Sequence, residues 1–174
     1  MKATKLLEAQ HREFESIFAR LSAPRGEAEP LVRDLANKLA AHLTIEQELF
    51  YPAVRDVNET VIFQSYEEHA LAELALKRLV ATAPDDETFQ AKVTALRELL
   101  EHHVDEEEHE LFPDVEDAFD GLRLEQLGRQ MKALYDEIVG GGYQAVVHKG
   151  DSTSADIAER RVLRKPRDDN HAGR

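Results

Sequence analysis

The sequence predicts an all-α fold, an antiparallel up-down four-helix bundle, and three observations carry that expectation. Apolar residues recur at three- and four-residue steps through four long stretches. Strand-like alternation is nearly absent, and short polar connections separate the stretches. In the first stretch, Leu6, Leu7, Phe14, Ile17, Phe18 and Leu21 mark one face of a helix over about 2–22. The segment SAPRGEAEP breaks it, and Pro30 suits the early turn of a second helix reaching about residue 51. A third helix is expected over about 60–82, ending before ATAPDD. Asp85 or Asp86 is placed to cap a fourth over about 87–112, with Glu87 in its first turn. Pro52 and Pro113 should end or kink the second and fourth helices. Leu122 to Val139 has the pattern of an accessory fifth helix packed on the outside. The expected organisation is therefore a bundle domain at 1–120, an accessory helix at 121–139 and a polar tail at 140–174.

Composition narrows the chemistry. Among 174 residues, 22 Lys and Arg face 35 Asp and Glu, for a net charge of −13. Such a balance argues against nucleic acid and anionic membrane surfaces as partners and favours a cation. The tail carries seven basic and five acidic residues, so it is +2 and the remainder −15. It reads as disordered or loosely attached, with a protein partner as its expected use and no metal role for His148 or His171. With no cysteine, thiol catalysis, iron–sulfur clusters, zinc ribbons and disulfides are excluded. No apolar run approaches the roughly 18 residues of a membrane span. Charges occupy the place of a signal peptide's apolar stretch in MKATKLLEAQHREF, so a cytoplasmic location is expected.

The helical part repeats itself. AHLTIEQELFYP (41–52) aligns without a gap to HHVDEEEHELFP (102–113), matching His42 to His103, Glu46 to Glu107 and Pro52 to Pro113. QHREFESIFARL (10–21) aligns to EHALAELALKRL (68–79), matching His11 to His69 and Glu15 to Glu73. Each half is thus a helical hairpin with one His on its first helix and His-x-x-x-Glu on its second. Residues four apart on an α-helix point about 40° apart, so each His and its Glu face the same way. Two such hairpins around a pseudo-twofold axis aim four imidazoles and two carboxylates into one interior.

Burying that set without a cation leaves polar groups and negative charge in an apolar core, at a cost of several kcal/mol. A metal pair removes the penalty. Glu46 and Glu107 are expected to bridge two ions, with His11 and His42 serving one and His69 and His103 the other. Mixed imidazole and carboxylate donors suit iron or manganese rather than calcium. Phe14, Phe18, Leu49, Phe50, Leu76 and Leu111 lie a turn or two away and are expected to wall the site.

The neighbours are assigned as follows. His102 has Glu106 four residues later but aligns with Ala41, so it is expected at the boundary or in solvent. His109 is expected to be exposed, and Tyr66 to pack in the core near His69. Glu15 and Glu73 follow their histidines by four and are expected to face the site, as further ligands or as acceptors for imidazole N–H groups. The run DEEEHE is expected to be a solvated face apart from Glu107.

These residues resemble the hemerythrin family, specifically its HHE cation-binding domain. The resemblance covers about residues 1–118 and rests on His11, His42-x-x-x-Glu46, His69 and His103-x-x-x-Glu107, with the LFYP and LFP endings. It implies a non-haem di-iron centre, two irons per chain, bridged by two carboxylates and an oxo or hydroxo group. Oxygen-carrying members have His-x-x-x-His on the third helix and a five-residue spacing to Asp on the fourth. Here Glu73 stands in the place of that second histidine, and Glu107 lies at four. The expected role is binding of dioxygen or a related small diatomic, for sensing, storage or delivery. The alternatives are a redox enzyme acting on peroxide or nitric oxide, repair of iron centres, or an interaction module working through the tail. No nucleophile elbow, phosphate loop or dinucleotide fingerprint points elsewhere.

Overall fold

The structure is a computed structural model that describes residues 1–23 and 27–142. The tail from 143 onward, with His148 and His171 and the partner role expected of it, lies outside the described residues. Seven α-helices are present among the described residues: α1 (Ala3–Leu21), α2 (Ala28–Ile45), α3 (Tyr51–Val54), α4 (Glu59–Val80), α5 (Phe89–Glu106), α6 (Phe112–Ala118) and α7 (Gly121–Gly141). No strand occurs among the described residues. The four long helices α1, α2, α4 and α5 form the bundle, each packed on the next around the barrel of side chains.

The helix starts follow local chemistry. The Asn58 side chain accepts from the Val61 N–H at the head of α4, and the Asp120 side chain accepts from Arg123 N–H at the head of α7. Each satisfies an otherwise orphaned donor, worth about 1 kcal/mol. The expected cap of the fourth helix moves. Thr88 is the N-cap residue of α5, and Asp86 instead accepts from the Thr88 N–H and hydroxyl in the turn before it. Glu87 therefore lies outside the helix, because Asp86 spends its side chain on a local turn.

Pro52 and Pro113 are expected to end or kink their helices. Neither ends its helix. Between α2 and α3, residues Glu46–Phe50 form a π-helical turn, and Glu107–Leu111 form a second between α5 and α6. The Tyr51 N–H returns to the Glu46 carbonyl and the Phe112 N–H to the Glu107 carbonyl, five residues back. Each wide turn lies just ahead of a proline whose ring would press on the carbonyl four residues back. The extra residue relieves that contact and lets the chain continue to Val54 and Ala118.

Two apolar clusters enclose the middle of the bundle. One contains Phe14, Phe18, Leu35, Leu39, Leu76 and Leu96. The other contains Leu7, Ile45, Phe50, Tyr51, Leu111 and Phe112, and it takes in Leu124 and Met131 of α7. The fifth helix is accordingly part of the core, packed along α1 and α2. Gly128 permits this. A Cβ there would lie 2.5 Å from the Met1 carbonyl oxygen and 2.9 Å from the Ala3 nitrogen. No helix among the described residues is long and apolar enough to cross a membrane.

Candidate metal centre

Between the two apolar clusters sit the six residues singled out by the repeat. His11, His42, Glu46, His69, His103 and Glu107 are all buried. One ligand atom from each of His11, His42, Glu46 and Glu107 lies within 4.8 Å of the others, and the same holds for Glu46, His69 and His103. His42 Nε2 and His69 Nε2 approach the same Glu46 oxygen, Oε2, at 3.2 and 3.3 Å. His11 Nε2 and His103 Nε2 approach Glu107 Oε2 at 3.5 and 3.7 Å. His69 Nε2 and His103 Nε2 are 3.2 Å apart.

The inward atoms are short of protein partners. His11 Nε2, both Glu46 oxygens and Glu107 Oε2 are buried without a hydrogen bond. Four unsatisfied donor or acceptor atoms converging in a buried core are costly unless something of positive charge joins them. Imidazole and carboxylate are the donor types a first-row transition metal takes, so the residues fit such a group.

The electrostatics reflect crowding. Burial, with help from the neighbouring Glu107, pushes the Glu46 carboxyl well above the usual carboxylate range. Burial would raise Glu107 too, but the nearby His103 and His11 rings and the bond from the Tyr51 hydroxyl outweigh it and hold it low. Burial drives His42 and His69 well below the usual imidazole range, helped at His42 by the other three histidines and at His69 by His103. Both rings are therefore neutral at pH 7, as metal coordination requires.

The outward ring atoms are held by residues that the repeat did not single out. His42 Nδ1–H donates to Gln10 Oε1 at 2.8 Å, and His103 Nδ1–H to Glu68 Oε2 at 2.9 Å. His11 Nδ1–H donates to Glu108 Oε1 at 2.8 Å, while Gln47 Nε2–H donates to His69 Nδ1 at 2.9 Å. The pattern obeys the pseudo-twofold. Gln10 and Glu68, each just before a first-helix histidine, serve the second-helix histidine of their own hairpin. Gln47 and Glu108, each just after a Glu, serve the first-helix histidine of the other hairpin. The π turns place this second pair, because a wider turn separates neighbouring side chains by less than the 100° of an α-helix.

Several expectations are corrected here. Glu15 is exposed and pairs with Arg12 at 2.6 Å instead of facing the cluster. Glu73 is half-buried and belongs to neither ligand group. Within DEEEHE, Glu108 is a second exception to the solvated face: its bonds to His11 and Arg12 lower its carboxyl to about 2. Leu49 is only half-buried, while the other five expected wall residues are buried. His102 is exposed beside Glu68 and Glu106, and His109 is exposed, as expected. Tyr66 is buried, donates to the Gln47 carbonyl and packs edge-on against Tyr51.

Tyr51 is the largest omission. Its hydroxyl donates to Glu107 Oε1 at 2.9 Å and lies 3.0 Å from His69 Nε2. Burial beside Glu107 and Glu46 raises the phenol well above its ordinary range, so it is a neutral donor. The signal available in the sequence was that its aligned partner, Phe112, has no hydroxyl. Phe112 instead stacks on His11, and Phe14 packs edge-on to His42.

Comparisons with known proteins agree with this geometry. The family profile of the Hemerythrin HHE cation binding domain matches residues 2–115. A DNA nickase of Nostoc sp. is 29% identical over 101 residues, covering 58% of this chain and 29% of that protein. The chain thus spans under a third of that curated relative's length. Uncharacterised proteins of Mycobacterium tuberculosis and Mycobacterium bovis are 26% identical over 125 residues, covering 69% of this chain and 74% of theirs. The crystal structure of a hemerythrin HHE cation-binding domain-containing protein from Mycobacterium kansasii superposes with a TM-score of 0.72 at 24% identity. It covers 91% of this chain and 98% of that one, a likeness of fold.

Proposed function

The chain belongs to the hemerythrin HHE cation-binding family, and on that footing we propose that it is a non-haem di-iron protein whose centre meets dioxygen or a related small ligand. The observation that carries the reading is the convergence of Nε2 and carboxylate atoms in a buried core, four of them without a hydrogen bond, with the opposite edge of each ring already held. His11 and His42 would hold one iron, His69 and His103 the other, with Glu46 and Glu107 between them. The unit that does this is the 1–120 bundle, closed along α1 and α2 by α7. When bound, the iron pair supplies an electron-rich Lewis-acidic centre able to bind a diatomic ligand reversibly or exchange electrons with it.

The protein's own groups do the rest. Three of the four imidazoles have Nδ1 held by Gln10, Glu68 or Glu108 as acceptor, which leaves their Nε2 unprotonated and turned to the cluster. At His69 the Gln47 amide faces Nδ1 and the Tyr51 hydroxyl lies 3.0 Å from Nε2; to hold a metal through Nε2 this ring would carry its proton on Nδ1, with the Gln47 amide oxygen accepting it. Phe14, Phe50 and Phe112 exclude water around the rings, which protects a bound ligand from protonation and release.

A second reading, a redox enzyme acting on peroxide, is favoured by one group. Tyr51 is a neutral O–H donor at the edge of the cluster, linked to Glu107 on one side and His69 on the other. It is placed to pass a proton to a reduced ligand. Anaerobic reconstitution with iron, followed by absorption spectra through cycles of oxygen and argon, separates the two. A spectrum that returns with each cycle supports ligand binding. Many turnovers with hydrogen peroxide, lost in Tyr51→Phe, support the enzyme.

A further inference from the structure

The pseudo-twofold creates two equivalent seams, one between α1 and α5 and the other between α2 and α4, and they differ. The α2/α4 seam is filled by Ala36, Leu39, Ala40, Leu43, Ala72 and Leu76, all buried. The positions equivalent by the repeat are Arg97, Leu100, Glu101, Val104, Phe14 and Phe18. There the seam does not close. It leaves a groove of about 350 Å³ whose inner end is His11 and Glu108 and whose rim carries Glu101 and Asp105. His11 itself is 1% exposed, and its Nε2, unpartnered, belongs to the candidate metal centre.

The geometry points to the α1/α5 groove as the port through which a hydrated divalent cation reaches the buried cluster. This inference rests on the metal-centre reading above. The lining carries Glu15, Glu101, Asp105 and Glu108 against Arg12 and Arg97, an excess of two negative charges. The equivalent positions in the closed seam are Glu73, Ala40, Thr44, Gln47, Ala70 and Ala36, which leave one. A cation with six waters, at about 30 Å³ each, fits the volume. Arg12 has a defined part: Nη2 donates to both Glu108 oxygens at 2.5 and 2.6 Å, and Nη1 to Glu15 at 2.6 Å. It compensates the inner carboxylate that steadies His11; at the mouth Glu101 lies 3.5 Å from Arg97 Nε and Asp105 3.0 Å from His109 Nδ1, all at the exposed edge, so the attraction is the net excess of carboxylates over guanidinium groups. Focusing by a charged cleft raises on-rates by about 10- to 1,000-fold, and salt screens it.

The test is the rate of anaerobic uptake of ferrous ion by the full-length metal-free protein, followed by competition with a chromogenic chelator. Glu101→Lys/Asp105→Lys is compared with Asp117→Lys/Glu137→Lys, which reverses two exposed charges away from the groove. The expected result is uptake slowed about tenfold in the groove variant, unchanged in the control, with the same final iron content in both. Added salt should slow wild-type uptake and leave the groove variant nearly insensitive. Equal rates in all three proteins, or equal slowing in both variants, overturn the port while leaving the metal centre standing. Failure of the wild type to take up iron overturns the metal-centre reading and the port with it.

Discussion

The two hairpins present the same inward residues and differ almost everywhere else. The first, α1 and α2, is covered by α7 and contributes amides, Gln10 and Gln47, behind the imidazoles. The second, α4 and α5, has no comparable helix packed along it among the described residues; Leu71 and Leu74 are exposed, and its contributions are the carboxylates Glu68 and Glu108. Because the partners are exchanged as the twofold requires, each proposed iron receives one amide-backed and one carboxylate-backed histidine. The duplication therefore fixes what points inward, and the surroundings set how each half is held, covered and reached.

The largest expected effect probes the inward set. His103→Ala should reduce iron from two per chain to about one or less and lower the melting temperature of the iron-loaded protein, since metal binding contributes to folding. His102→Ala should change neither, because its ring is exposed and about 100° round the helix. Metal analysis and thermal melting at matched iron supply check both; damage from His102→Ala alone would break the equivalence of the hairpins.

Next in size are the outer partners. Glu68→Gln and Glu108→Gln each remove a carboxylate behind one imidazole and should weaken iron binding about 10- to 100-fold. Chelator competition measures this, and the reverse changes, Gln10→Glu and Gln47→Glu, should tighten binding or leave it alone. A smaller effect concerns the cover on the first hairpin. Gly128→Val drives a side chain into the Met1 and Ala3 backbone and should cost about 1–3 kcal/mol in denaturant unfolding while iron content holds.

The smallest is an acid limb. Glu108 is held near 2 when folded, below the roughly 4.3 of an unfolded glutamate, so its contribution is full above that value. It is lost as pH falls from about 4.5 toward 2. Unfolding of the metal-free protein followed across that range should show this limb, and Glu108→Gln should flatten it.

The bundle, the fifth helix and the six inward residues were legible because each has a periodic or repeated signal. His42 and Glu46 point together by helix geometry alone, and the repeat excluded His102 by pairing it with Ala41. What was not legible depends on departures from that geometry. The π turns arise from the contest between Pro52 or Pro113 and the carbonyl four residues back, and they bring Gln47 and Glu108 beside the rings of the other hairpin. Tyr51 reaches Glu107 across the bundle, a contact no local pattern encodes. Glu15 shares His11's stripe, yet Arg12 draws it to the surface.

Two equivalent ligand sets are proposed to hold two irons. Metal analysis of the full chain, reconstituted anaerobically with excess ferrous ion and freed of loosely bound metal, tests it most directly. The expected result is two irons per chain, with an absorption spectrum that changes on exposure to oxygen. One zinc, or no retained metal, would contradict it.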